Sequence, residues 1–141
     1  MPEFLIQSKG MKKSTREIKF IIEKTNTGFS AFAKKYPIFT TGSSIPELMN
    51  NILDASNLYF EEHEIIIVAE NLKYEIDFKQ FFLFYRVLNS KFLAEKIGMN
   101  PTLLSQYVKG RKKPSPSQTE RILSAIHEIG KELSEINLIH R

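Results

Sequence analysis

The chain has 141 residues, 42% hydrophobic and 26% charged, with no cysteine and a net charge of +4. That length allows one ordinary domain or two small ones, and the composition is globular rather than disordered. Disulfides and thiolate metal sites are excluded, and the longest apolar runs, 65–69 and 81–85, are too short to span a membrane as a helix.

Residues 1–14 show no periodicity and read as a flexible tail. Met11 is a second candidate start, which leaves open whether residues 1–10 are native. Lys9, Lys12 and Lys13 have no apolar stretch behind them, so a signal peptide is not expected and a cytoplasmic location is. Ile18, Phe20 and Ile22 then alternate with Lys19, Ile21 and Glu23, the period of a strand. Thr25-Asn26-Thr27-Gly28 supplies turn chemistry. Residues 29–33 read as the returning strand and 38–41 as a short third one.

Ser44 is an N-cap candidate with Glu47 three residues on, and Pro46 fits the first turn of a helix. Ile45, Leu48, Met49, Ile52, Leu53, Ala55 and Tyr59 give that helix one apolar face. Residues 61–64 close it. The β-branched run 65–68 predicts a fourth strand, and 74–76 a short extended connector. The first half therefore reads β-β-β-α-β over residues 15–76.

The second half, 77–141, reads as all helix. Asp77 with Gln80 starts a helix to 88. Ser90 opens another, ending at Gly98. Asn100 caps a third, with Pro101 at its first position, running to 109. Ser115, Pro116 and Gln118 together start a fourth. Charge divides the same way. Residues 1–76 carry nine basic and ten acidic side chains, and 77–141 carry eleven and six. A neutral half followed by a basic one points to a polyanion as one partner.

The segment 92–110 carries the most specific pattern. Ala94 is small where two helices meet steeply, and Gly98 accepts the positive φ that the turn requires. Leu93, Ile97, Leu103 or Leu104, and Tyr107 face inward. This segment resembles the phage-repressor (Xre/Cro-like) helix-turn-helix, including the glycine, basic run and proline of Gly110-Arg111-Lys112-Lys113-Pro114 after its third helix. The resemblance spans about 81–133 and implies that the third helix lies in the major groove of operator DNA. Thr102, Ser105 and Gln106 would then read bases, Gln106 pairing with adenine and the Thr102 methyl touching thymine. Ser90, Lys91, Lys109, Arg111, Lys112 and Lys113 would grip phosphates. Val108 stands where many relatives have Glu, and Pro101 where some have a base-reading amide. Ile122, Ile126, Ile129, Leu133 and Ile136 repeat at 4-3-4-3 spacing. The end of that stripe, past about Gly130, is expected to pair two copies into a homodimer or a higher even-numbered oligomer.

The first half is similar to the HicB-family antitoxin fold, a partial RNase-H-like module. Gly28, Ala31, Pro37 and Gly42 carry the likeness, with the Thr-x-Gly-x-x-x-x-Glu entry at 40–47. The resemblance implies an α+β chain whose N-terminal domain neutralises a small HicA-type ribonuclease toxin. Its C-terminal domain would autorepress the operon that encodes both. The alternative is a stand-alone transcriptional repressor whose N-terminal half senses a ligand or dimerises.

Enzymatic activity is not expected. An RNase-H-type site needs several carboxylates converging on Mg²⁺. Glu17 and Glu23 share one strand, whereas Asp54, Glu61, Glu62 and Glu64 read as a solvated helix end. His63, His127 and His140 have no metal-ligand spacing. No catalytic residue, metal or cofactor is therefore assigned.

Overall fold

The alternation at Ile18, Phe20 and Ile22 builds the central strand of a sheet in the computed structural model, which describes residues 12–139. The chain is α+β and divides between Asp77 and Phe78 into two units. In the first, β1 is Lys12–Lys13, β2 Ile18–Thr25, β3 Gly28–Ala33 and β4 Phe39–Gly42. Helix α1 (Ile45–Phe60) follows, then β5 (Ile65–Ile66) and β6 (Leu72–Ile76). The main sheet has the order β4-β3-β2-β6. Its first three strands form an antiparallel meander, and β6 returns parallel to β2.

One face of that sheet is buried and the other is not, as a period of two dictates. Ile18, Phe20 and Ile22 of β2 and Ala31 and Ala33 of β3 form a core with Leu48, Ile52 and Phe60 of α1. The meander fits tightly against α1. Gly28 has φ +156°, and a Cβ there would lie 2.2 Å from the carbonyl oxygen of Gly42. A Cβ on Gly42 would lie 2.5 Å from the Leu48 nitrogen, inside the first turn of α1. That turn is capped by Ser44 Oγ, which accepts from Glu47 N at 3.3 Å. The reciprocal half of the capping motif goes to Ser43. Its hydroxyl and backbone N–H donate to the Glu47 carboxylate and hold that carboxyl below its ordinary pKa.

Three expectations are corrected here. The run 65–68 is not the fourth strand of the sheet; only Ile65–Ile66 forms a strand, and it pairs parallel with β1 in a separate two-stranded sheet. The strand stops because a side chain takes the place of a neighbouring strand. Asn57 Oδ1 accepts from Ile67 N at 2.8 Å, and Asn57 Nδ2 donates to Ile67 O at 2.9 Å. The supposed connector instead belongs to β6, five residues in register with β2 from Ile18↔Leu72 to Ile22↔Ile76. Within the expected tail, Lys12 N–H donates to Glu64 O and Ser14 N–H to Ile66 O, and Asn71 Nδ2 donates to the carbonyls of Ser14 and Arg16. Residues 1–11 lie outside the described residues.

The second unit contains α2 (Phe78–Phe84), α3 (Ser90–Ile97), α4 (Pro101–Val108) and α5 (Pro116–Ser134). Phe78, Phe82, Leu93, Ala94, Met99, Leu104, Tyr107, Ile122 and Ala125 are its buried apolar residues. Helix α2 ends four residues short of the expected 88. The chain must be extended by Asn89 (φ −101°, ψ 113°) so that this residue can cap α3. Ser90 is thus the first helical residue and not the cap. The α5 stripe begins as predicted, with Ile122 fully buried and Ile126 and Ile129 half-buried, and then leaves the core. Leu133 is exposed, and Ile136 is exposed beyond the end of the helix. Among the described residues no helix is long and apolar enough to cross a membrane.

Candidate nucleic-acid interface

Helices α3 and α4 are joined by three residues, and the local sequence dictates how. Ala94 has no exposed surface, which allows the chain to approach it closely, and Met99 N donates to Ala94 O at 2.9 Å. Gly98 ends α3 in the left-handed conformation (φ 67°, ψ 30°), which costs a side-chain-bearing residue about 1–2 kcal/mol. Asn100 then starts α4, its Oδ1 accepting from Thr102 N at 2.8 Å and Leu103 N at 3.4 Å. Pro101 at the first helical position gives up no hydrogen bond.

Helical spacing divides α4 into two sides. Leu104 and Tyr107 are buried, and Leu103 is half-buried, which settles the choice between the two leucines in favour of Leu104 as the core residue. Thr102, Ser105, Gln106 and Lys109 are three, four and seven residues apart and share the opposite stripe. Thr102 and Lys109 are exposed; Ser105 and Gln106 are half-buried. No hydrogen bond within the described residues engages the side chains of Thr102, Ser105 or Gln106. Three polar side chains on one helix face thus keep their donors and acceptors for something else.

The same helix aims the basic run. Gly110 takes φ 73°, and its N–H donates to Tyr107 O at 3.1 Å while Arg111 N donates to Gln106 O at 2.9 Å. This pair of bonds is a Schellman ending, which reverses the chain directly after the last turn. Arg111, Lys112 and Lys113 therefore follow immediately from the Thr102–Lys109 stripe, and all three are exposed. Ser90 and Lys91 sit apart, in the first turn of α3. Lys91 is exposed and Ser90 half-buried, and the α3 cap is made by Asn89 Oδ1 accepting from Phe92 N at 3.0 Å. No hydrogen bond among the described residues joins Ser90 or Lys91 to the α4 group.

Two contacts that sequence reasoning missed hold the unit in shape. Arg121 Nη2 donates to Ile97 O at 2.6 Å and its Nη1 to Gln118 Oε1 at 3.1 Å, which fixes α5 to the end of α3. Lys96 lies 3.8 Å from Glu128 and 3.5 Å from Glu132. Only the Gln118/Arg121 spacing within α5 hints at the first, and nothing local reports the second. Lys96, Ile97, Arg121 and Glu128 border an open groove of about 440 Å³ that also includes Ser117, Glu120 and Ser124. Both of its cations already face protein acceptors, so the groove has no unpaired positive charge for an anion. Among the described residues, no three His, Asp or Glu side chains come together as a metal site would require.

Comparison with protein families, curated proteins and solved structures finds no match to this chain.

Proposed function

We propose that the second unit is a helix-turn-helix that binds operator DNA, with α4 as its recognition helix. The observation that carries this reading is the α4 stripe. Thr102, Ser105 and Gln106 share one face without internal hydrogen bonds, and the Schellman turn runs straight from that face into Arg111, Lys112 and Lys113. Base edges in the major groove offer the donors and acceptors that such side chains match, and phosphates offer the negative charge. Thr102, Ser105 and Gln106 read bases; Ser90, Lys91, Lys109, Arg111, Lys112 and Lys113 hold the backbone. The exposed Leu133 and Ile136 support a symmetric dimer, which a palindromic operator favours.

The first unit completes the reading as a cytoplasmic type II antitoxin of the HicB kind. A meander, a covering helix and a parallel return strand are the order that a partial RNase-H-like module would have. In this reading the unit blocks a small ribonuclease, and the chain has no catalytic role of its own. A gel shift with the DNA upstream of the gene tests the DNA half. The Thr102→Ala/Gln106→Ala variant is expected to bind about tenfold to a few hundredfold more weakly than wild type. Equal binding by the two proteins, or none by the wild type, rejects the recognition-helix assignment. Co-expression with the short reading frame beside the gene tests the antitoxin half, and failure to co-purify leaves a repressor only.

A further inference from the structure

We infer that the outward face of α1 is the surface that receives the basic partner, an inference that rests on the antitoxin reading above. Between Lys35 and Lys73 the chain has no lysine or arginine but six acidic residues, Glu47, Asp54, Glu61, Glu62, Glu64 and Glu70. All six are exposed, and none is in an ion pair among the described residues. Asp54 and Leu58, four residues apart, share one face of α1, and Glu61 and Glu62 follow its end in the 3-10 turn Glu61–His63. Leu58 is 72% exposed in the middle of them, and its helix buries Leu48, Ile52 and Phe60 on the opposite side.

Apart from Glu47, which accepts from Ser43 at the start of α1, this charge does not serve the helix. The C-terminal end of a helix carries partial negative charge and favours cations. Here Glu61, Glu62 and Glu64 crowd that end, and the last turn contains no basic residue. The arrangement is unfavourable for α1 taken alone and favourable for a cationic surface brought against it. A protein that binds RNA must present such a surface to the phosphates. An acidic helix face occupies that surface by charge complementarity, and acids around one apolar side chain give both steering and a desolvated contact. The partner is therefore a small protein whose own RNA-binding surface is basic, and the contact covers that surface directly.

The test uses the full chain co-expressed with the product of the adjacent short reading frame. Two variants are compared with wild type, Asp54→Lys/Glu61→Lys/Glu62→Lys and Leu58→Ala, with Lys19→Glu on another face as a control. Lysines at 61 and 62 suit the helix end better than the glutamates do, so loss of folding is not the expected failure, and melting curves check this. The expected result is a wild-type complex weakened by salt, with affinity reduced about tenfold or more by either α1 variant but not by the control. Undiminished binding by both α1 variants overturns the surface and leaves the antitoxin reading standing. No complex with wild type overturns both. If wild type alone is an oligomer that the charge-reversal variant splits, a second copy covers α1 and the inference fails.

Discussion

Each of the two units is organised internally by different contacts. In the second, every helix with a defined start is closed by a neighbouring side chain: Asn89 for α3, Asn100 for α4 and Ser115 for α5. These bonds span two or three residues of sequence. The first unit has one such cap, Ser44 on α1, and adds side-chain contacts between residues far apart in sequence. Asn57 ties α1 to Ile67 ten residues on, and Asn71 reaches back 57 and 55 residues to the carbonyls of Ser14 and Arg16. A unit organised by local caps shows its architecture to anyone reading along the chain. One closed by long-range amides does not.

The largest effect that sharpens this contrast is expected at Asn71. Its side chain is buried and serves three backbone groups, accepting from Val68 N at 2.9 Å as well as donating to the two carbonyls. Asn71→Ala leaves those groups to find water or remain unpaired, at a cost of roughly 2–3 kcal/mol. Urea denaturation followed by tyrosine fluorescence measures it. A loss as small as that of a surface substitution would mean the N-terminal strap is not held by this residue.

That asymmetry explains what was legible in the sequence. The α3–α4 turn was readable because Ala94, Gly98 and Asn100 each do a job dictated by immediate neighbours, and the exposed stripe on α4 follows from spacing alone. The misreading of 65–76 has an equally physical cause. Ile65-Ile66-Ile67-Val68 is a strong strand pattern, yet Asn57 occupies the backbone of Ile67 and so ends the strand. In β6, Lys73 and Glu75 point to one face and Leu72, Tyr74 and Ile76 to the other. The Lys-Tyr-Glu centre disguises an alternation that becomes obvious only beside β2. Arg121 and Lys96 went unread for the same reason, since their partners Ile97, Glu128 and Glu132 are set by helix packing.

A smaller effect is expected at the local end of the comparison. Gly98→Ala places a Cβ at φ 67°, where nothing lies within 4 Å of it, so the penalty is conformational only. About 1 kcal/mol of stability is the expected loss, with DNA affinity following only through folding. A much greater loss in binding than in stability would show that the Gly98 backbone itself approaches DNA. Ser56 should respond with the opposite sign. Its hydroxyl is fully buried in α1 and has no hydrogen-bond partner among the described residues. Ser56→Ala is expected to raise stability by up to about 1 kcal/mol, because a desolvated hydroxyl is removed and little volume is lost. A clear destabilisation would reveal a partner for Oγ.

The smallest effect concerns the strand that sequence reading missed. Tyr74 lies on the core side of β6 opposite Phe20, and partial burial raises the pKa of its phenol above the ordinary value. An acid whose folded pKa is raised contributes stability that is fully present below its unfolded pKa, about 10 for tyrosine, and lost as pH rises through the folded value. The first unit should therefore weaken in alkali, because the unfolded chain ionises Tyr74 more readily than the folded one. The useful quantity is the difference between wild type and Tyr74→Phe. The gap in melting temperature between the two should move in favour of the Phe variant as pH climbs from about 9 to about 11. A gap that stays constant would mean the phenol is as well solvated in the folded chain as in the unfolded one, and that β6 closes the sheet without enclosing it.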